Sequence, residues 1–461
     1  MNSMHSSALS AAGDWLQAHG LALRRLQWVV VLVYAVLLVV PALLPLPDET
    51  AHIWSNLTVF AQFVFWGIWW PFVLLSMILV GRAWCGILCP EGALAEWASG
   101  KGRNRAIAHW VRWKGWPFMA FAVTTIYGQM ISVYQYPKAV LLVLGGSTAA
   151  AMAVGYLYGR EKRVWCKYLC PVNGVFGLLS KLAPLHFAVD VGAWRRSYGK
   201  PIRIHAVNCA PLVALRHMEG ASDCHMCGRC SGHRQAIALT ARSPNEEVVQ
   251  RGARLANGWQ TVLILFGLLG IAIGAFQWSA NPHFVVIKQW IAQWLVEHDI
   301  LWPLHDDTPW WLLTNYPEQR DVFSWLDGGL VVGYILGVGA AMGAVLALIL
   351  AGTCRLWGPW KTQRFHHIAQ ALIPVAGCGV FLGLSALTIQ LLKADGVPVH
   401  WANGVRLVLL AAANLWSLCL AHGIAKQYSP SPWLRGLGLA VFGISLAWVD
   451  YAWILMFWLW S

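Results

Sequence analysis

The sequence predicts an all-α integral membrane protein of about nine transmembrane helices with one polar insert on the cytoplasmic side. Three observations predict it. Of the 461 residues, 58% are hydrophobic and 11% charged, with mean hydropathy +0.54, against roughly 45–50% and about 25% in soluble domains. Apolar runs near the ~20 residues that a helix needs to cross a bilayer recur along the chain. The loops between them alternate in charge. No run alternates strongly between polar and apolar residues, so helices rather than a barrel must satisfy the backbone.

The nine runs lie at about 26–46, 57–80, 115–135, 138–158, 258–280, 326–351, 367–392, 404–423 and 436–460. Excess Lys and Arg in short loops marks the cytoplasmic side. Loop 81–114 carries six basic residues and two acids, segment 159–257 fifteen and six, and loop 352–366 three and none. Segment 281–324 reverses the balance, with two basic residues (Lys288, Arg320) and six acids. Nine helices with the N-terminus inside put every basic segment in the cytoplasm and 281–324 outside. Arg24 and Arg25 precede a first run too long for a signal h-region and without a small-residue cleavage site, so it reads as a retained anchor. The expected location is the bacterial inner membrane. Three segments follow: 1–182, a membrane domain holding a duplicated unit; 183–257, the insert; and 258–461, a second membrane domain with outer loop 281–324.

The duplication is visible in the residues. GRAWCGILCP at 81–90 and KRVWCKYLCP at 162–171 share Arg-x-Trp-Cys-x-x-Leu-Cys-Pro, offset by 81 residues. Pro90 and Pro171 suit the first turn of a helix, so 91–98 and 172–182 read as short surface helices. A third cluster, DCHMCGRC at 223–230, follows. In a reducing compartment thiolate ligands are favoured over disulfides. Cys-x2-Cys-x2-Cys and Cys-Pro are how bacterial ferredoxins hold [4Fe–4S] clusters, four thiolates to each. Cys85, Cys89, Cys166, Cys170, Cys209, Cys224, Cys227 and Cys230 supply two. One grouping gives the first four to one cluster and the last four to another; an exchanged grouping is open, because the Cys before Pro can serve the other cluster. Zinc is the rival metal, though its sites pair two Cys-x2-Cys units or add His. The insert 183–257 is thus a ferredoxin-like iron–sulfur insert, too small to bury a large core and stapled by its metal.

At these motifs the chain resembles the polyferredoxin-type membrane proteins of the NapH/MauN/NosR group, whose relatives include cytochrome oxidase accessory proteins thought to reduce copper. RAWCGILCP, RVWCKYLCP with VNGVFGLLSKLAP, and CHMCGRC carry the resemblance, over roughly residues 55–240. It implies a membrane electron carrier with cytoplasmic [4Fe–4S] clusters that exchanges electrons with the quinone pool or a partner redox protein. The chain departs from the family pattern after Cys230, where no fourth Cys and no Pro follow. Cys209 is the local replacement, with His225 and His233 as alternatives.

Other residues are weaker signals. Trp84 and Trp165 read as an interfacial aromatic belt. Arg82, Arg163, Lys167 and Arg229 read either as offsets to cluster charge or as ordinary inside cations. Cys354, Cys378 and Cys419 read as small buried hydrophobes. Among His366, His367, His400 and His422, a haem b between His367 and His422 is the lesser alternative to snorkelling side chains. Asp450, inside the last run, reads as a proton-transfer group or as a packing hydrogen bond to Ser445 or Tyr451. No Walker loop, G-x-S-x-G or H-E-x-x-H stands in a suitable context. The open functions are a redox carrier, a metal (copper) reductase or cofactor-assembly factor, and a redox sensor.

Overall fold

A computed structural model describes residues 8–48, 50–198 and 206–460. The start of the expected cytoplasmic N-terminus, residues 1–7, lies outside them. The chain is an all-α membrane protein. Among the described residues eight helices are long and apolar enough to cross a bilayer: Gly20–Leu43, Leu57–Val80, Pro137–Leu157, Gly258–Gln277, Trp325–Leu356, Thr362–Ala394, Ala402–Tyr428 and Pro432–Leu459. Leu32, Leu79, Leu348 and Val408 stand exposed on them, as lipid-facing residues do.

The ninth expected run, 115–135, forms a helix of 15 residues, Trp116–Met130, which rises only about 22 Å. It stops because the chain turns at Ser132, which takes a left-handed φ of 49°. Pro137 then opens the next helix.

The chain builds two compact units, passing between them several times. The first comprises 1–40, 72–117 and 145–251. In it the helix Pro90–Gly100 opens on Pro90 and is capped by Cys89. It packs on the 146–157 helix so closely that a Cβ at Gly155 would stand 2.4 Å from the Ala95 carbonyl oxygen. The expected surface helices are therefore helical but packed: Ala93, Ala95, Ala98, Phe176, Leu178 and Leu179 are buried, because small and apolar side chains line one face of each. Pro171 lies in a turn before its helix, Asn173–Leu179, rather than inside it.

The insert closes on a two-stranded antiparallel ribbon, β1 (Leu185–Val189) with β2 (Ile237–Ala241), in the register Phe187 opposite Leu239. Its small core joins Phe187, Trp194, Ile237 and Leu239 to Cys224, Met226 and Cys230. Arg242 ties the base, pairing with Glu247 and donating its Nε–H to the Ala183 carbonyl at 3.0 Å.

The second unit comprises 41–71, 118–144 and 252–461. Its helices approach at small residues: a Cβ at Gly270 would meet the Gly339 carbonyl oxygen at 2.7 Å, the close packing that membrane helices favour. Turns at one set of helix ends bond to one another. The Thr314 N–H donates to the Met130 carbonyl at 2.9 Å, the Tyr136 hydroxyl to Asp321 at 2.7 Å, and the Ile53 N–H to Asp395 at 3.2 Å. At the other ends, Gln363 donates to the Ala256 carbonyl at 2.8 Å, and Thr261 and His366 Nδ1 lie 3.0 Å apart.

Candidate iron–sulfur sites

Each cysteine motif begins where a helix runs out. After the Leu57–Val80 helix the chain makes a wide turn over Trp84–Leu88, and Cys89 is extended at φ −63°, ψ 118°. The Cys89 sulfur accepts the Gly92 N–H at 3.4 Å, the cap of the next helix. Gln27 donates to the Gly86 carbonyl at 2.8 Å and holds this turn. In the second copy a short helix, Val164–Tyr168, carries Cys166, and Cys170 precedes the turn into Asn173–Leu179. In the third, Met226 and Gly228 take left-handed φ of 53° and 74°. The chain coils there, and the Cys224 sulfur accepts the Met226 N–H at 3.4 Å. Gly228 suits its position, since glycine bears that φ without a steric penalty. The helix Ala8–Ala18 lies over this motif, with the Ser231 hydroxyl donating to Asp14 at 2.7 Å.

All eight cysteines belong to the first unit and none is in a disulfide. Their electrostatic neighbours divide them into two sets. Cys89 has Cys166 and Cys85 beside it, and Cys170 has Cys166 and Cys89. Cys230 has Cys224, Cys227 and Cys209, and Cys209 has Cys227. Burial raises Cys166 and Cys224 to about 12, against the lowering by Arg163 at the first and by the Met226 N–H at the second; burial, then like-charged neighbours, raises Cys89, Cys170 and Cys230 well above the ordinary thiol range. Burial opposes their ionisation, so a bound cation is what would hold them as thiolates. Among the described residues no three His, Cys, Asp or Glu side chains converge as ligands of a single metal ion. In a four-iron cluster each thiolate binds its own iron. Eight sulfurs in two sets of four, with Cys85, Cys166, Cys224 and Cys230 buried and the other four half-buried, and some already accepting backbone N–H bonds, fit that group. Cys85, Cys89, Cys166 and Cys170 would hold one cluster and Cys209, Cys224, Cys227 and Cys230 the other, each supplying one-electron chemistry when bound.

His225 is fully buried; burial, then Arg82, Arg163 and Lys167, keeps its imidazole neutral. His233 packs beside the Trp194 ring at 5.3 Å. Cys209 is among the electrostatic neighbours of Cys230.

The cations around the cysteines are built into the unit. Arg82 is 3% exposed and donates to the Ser222 carbonyl at 2.7 Å and to Asn173 Oδ1 at 2.8 Å. Arg163 is 1% exposed, donates to the Cys85 carbonyl and pairs with Glu96 at 2.8 Å. Arg229 reaches the other oxygen of Glu96 at 2.7 Å. Burial raises the Glu96 carboxyl, but Arg163 and Arg229 outweigh it and hold it below the usual range. Lys167 pairs with Asp223 at 3.3 Å. Glu96 carries no motif signal in the sequence beyond being, with Glu91, one of the two acids of loop 81–114. Trp84 is buried with its ring edge-on to Phe72, and Trp165 donates to Glu91 at 3.3 Å.

The second unit gives the remaining residues ordinary places. His367 is buried with the Tyr428 hydroxyl 2.8 Å from Nδ1, while His422 and His400 are exposed. Asp450 accepts a hydrogen bond from Asn414 Nδ2 at 2.6 Å. Its partner is therefore neither Ser445, which bonds the Phe442 carbonyl, nor the exposed Tyr451. Cys354 is buried and Cys378 half-buried, but Cys419 is exposed.

A family described as a 4Fe-4S binding domain matches residues 62–112 and 142–189. The first segment holds Cys85 and Cys89, the second Cys166 and Cys170. The chain is 26% identical over 187 residues to "Regulatory protein NosR" of Pseudomonas aeruginosa, covering 35% of this chain and 25% of that one. It is 22% identical over 232 residues to "Putative electron transport protein YccM" of Escherichia coli (strain K12), covering 44% of this chain and 62% of that one. The chain thus spans a quarter of one curated relative and under two thirds of the other. No solved structure matches. These matches bear out the resemblance to iron–sulfur membrane proteins of the NosR and NapH type.

Proposed function

For an iron–sulfur membrane protein similar to the NosR and NapH type, we propose electron transfer through two [4Fe–4S] clusters at the cytoplasmic face. The partners are the quinone pool or a redox protein. The observation that carries this is the pair of four-cysteine sets within one compact unit, with their loops in contact: a Cβ on Gly86, next to Cys85, would stand 2.0 Å from the His225 carbonyl oxygen and 3.0 Å from the Cys227 nitrogen. Electrons tunnel over short, packed distances, and here backbone meets backbone. Two one-electron centres match a quinol, which gives two electrons and two protons on becoming quinone. The two cysteine sets would hold centres that take up these electrons one at a time, and the protons would return to solvent.

The inside location of the clusters rests on the charge of the loops that carry them. Nine crossings are supported by the same contact. Motifs 81–90 and 162–171 lie in one unit on one side, so the chain between them crosses an even number of times. Pro137–Leu157 is one crossing, and Trp116–Met130 is the only helix left for the other. Its end bonds to Thr314, in the acidic segment read as outside.

The test is anaerobic purification, with iron and acid-labile sulfide assays and EPR after reduction by dithionite and by a quinol. Iron near eight per chain and two reducible signals support the reading. Stoichiometric zinc without a brown chromophore overturns it. A second reading, redox sensing, is favoured only by the printed name of one relative as a regulatory protein. In that case a quinol would leave both signals unreduced.

A further inference from the structure

Arg163 sits where the two cysteine sets meet. Its electrostatic neighbours are Cys166 of the first set and Cys227 of the second, and its Nη1 donates to the carbonyl of Cys85. The guanidinium is 1% exposed. Among the described residues its Nη2 has no hydrogen-bond partner. An arginine cannot shed its proton to escape this burial, and an unmet buried N–H is costly. Gly92 leaves the space it needs, since a Cβ there would lie 3.1 Å from Nη1. On its outer side Arg163 is fixed by Glu96, which Arg229 grips in turn at 2.7 Å. Arg229 itself lies between Cys227 and Cys230. One carboxylate therefore ties the second cysteine repeat to the third motif.

We propose that Arg163 is a cation shared by both iron–sulfur clusters, its free N–H directed to sulfur, so that one side chain sets the reduction potential of both. This rests on the two-cluster reading above. Each reduction adds one electron and no proton at Arg163. A fixed positive charge in a buried, low-dielectric place stabilises the reduced, more negative form, and hydrogen bonds to the sulfurs raise potentials in the same direction. Glu96 opposes the effect by neutralising part of that charge. Arg163 acts here as a positioning and tuning group, not a ligand.

The test is potentiometric titration with EPR detection on the full-length protein, alongside iron and sulfide content, for wild type, Arg163→Gln, Arg163→Lys and Glu96→Gln. Arg163→Gln should move both midpoint potentials to more negative values, and Arg163→Lys should move them less because the charge remains. Glu96→Gln should move both in the opposite, positive direction. A merely structural role gives no such opposite signs. Two intact clusters with only one potential shifted, or neither, would overturn the sharing. If Arg163→Gln loses its clusters, the positive shift of both signals in Glu96→Gln decides, and its absence overturns the proposal. A wild-type protein without iron and sulfide overturns the two-cluster reading itself, which is a separate outcome.

Discussion

Gly86 meets His225 backbone to backbone: a Cβ at Gly86 would lie 2.0 Å from the His225 carbonyl oxygen. This contact joins the first cysteine repeat to the third motif, and only a residue without a side chain permits it. Gly86→Ala must push the two loops apart, since the opposing atom is backbone and cannot rotate away. Forced overpacking costs about 1–3 kcal/mol. Iron per chain and the thermal midpoint should both fall. Gly146→Ala is the control: nothing lies within 4 Å of a Cβ there, so any change should stay within about 1 kcal/mol. Equal behaviour of the two variants would mean that the loops do not need to touch.

Removing one thiolate of four should cost one cluster. Cys227→Ser and Cys209→Ser should each lose the same EPR signal, since both sit beside Cys230. Cys85→Ser and Cys166→Ser should lose the other, and the apolar helices should keep every variant in the membrane. Spin quantitation and iron per chain in isolated membranes check this. Should Cys85→Ser and Cys227→Ser lose the same signal, ligands are exchanged between the two sets.

What the sequence made legible was local. Hydropathy runs located the eight long helices, and the Arg-x-Trp-Cys-x-x-Leu-Cys-Pro repeats stood out because their spacing lies within ten residues. Non-local facts were hidden. The shortness of Trp116–Met130 follows from the left-handed Ser132, which no hydropathy average registers. The burial of Arg163 depends on Glu96 and Cys85 folding against it, so its charge read equally well as a surface one. Asp450 stands out in the sequence because a carboxylate in an apolar run is costly, but its partner Asn414 lies on another helix.

His186 gives the insert an acid-sensitive point. Burial, then Arg242 and Arg251, lowers its imidazole to about 4, against about 6.5 for the unfolded chain. The unfolded state therefore binds the extra proton first. Stability is unaffected above pH ~6.5 and falls as pH drops from ~6.5 to ~4, by up to about 1.4 kcal/mol per pH unit. Below ~4 the loss levels off. His186→Gln removes this proton and should flatten that part of the curve. Thermal midpoints of wild type and variant, compared at each pH so that acid loss of clusters cancels, give the answer. Parallel curves would mean that His186 is accessible and titrates normally.

The short helix Trp116–Met130 makes the clearest demand on topology. If it did not cross, the loops bearing Cys85 and Cys166 would lie on opposite sides of the bilayer. The carbonyl of Cys85 accepts a hydrogen bond from Arg163, three residues before Cys166, so one side must hold both. Fifteen residues are short of a ~30 Å core, and a crossing there would need a flanking turn and local thinning to make up the difference, at modest cost. Reporter fusions ending at residues 104, 160 and 360 should therefore all report the cytoplasm, and one at 310 the outer face. The informative pair is 104 and 160. If they report opposite faces, Trp116–Met130 does not cross, and the packing of the two cysteine repeats on each other cannot stand.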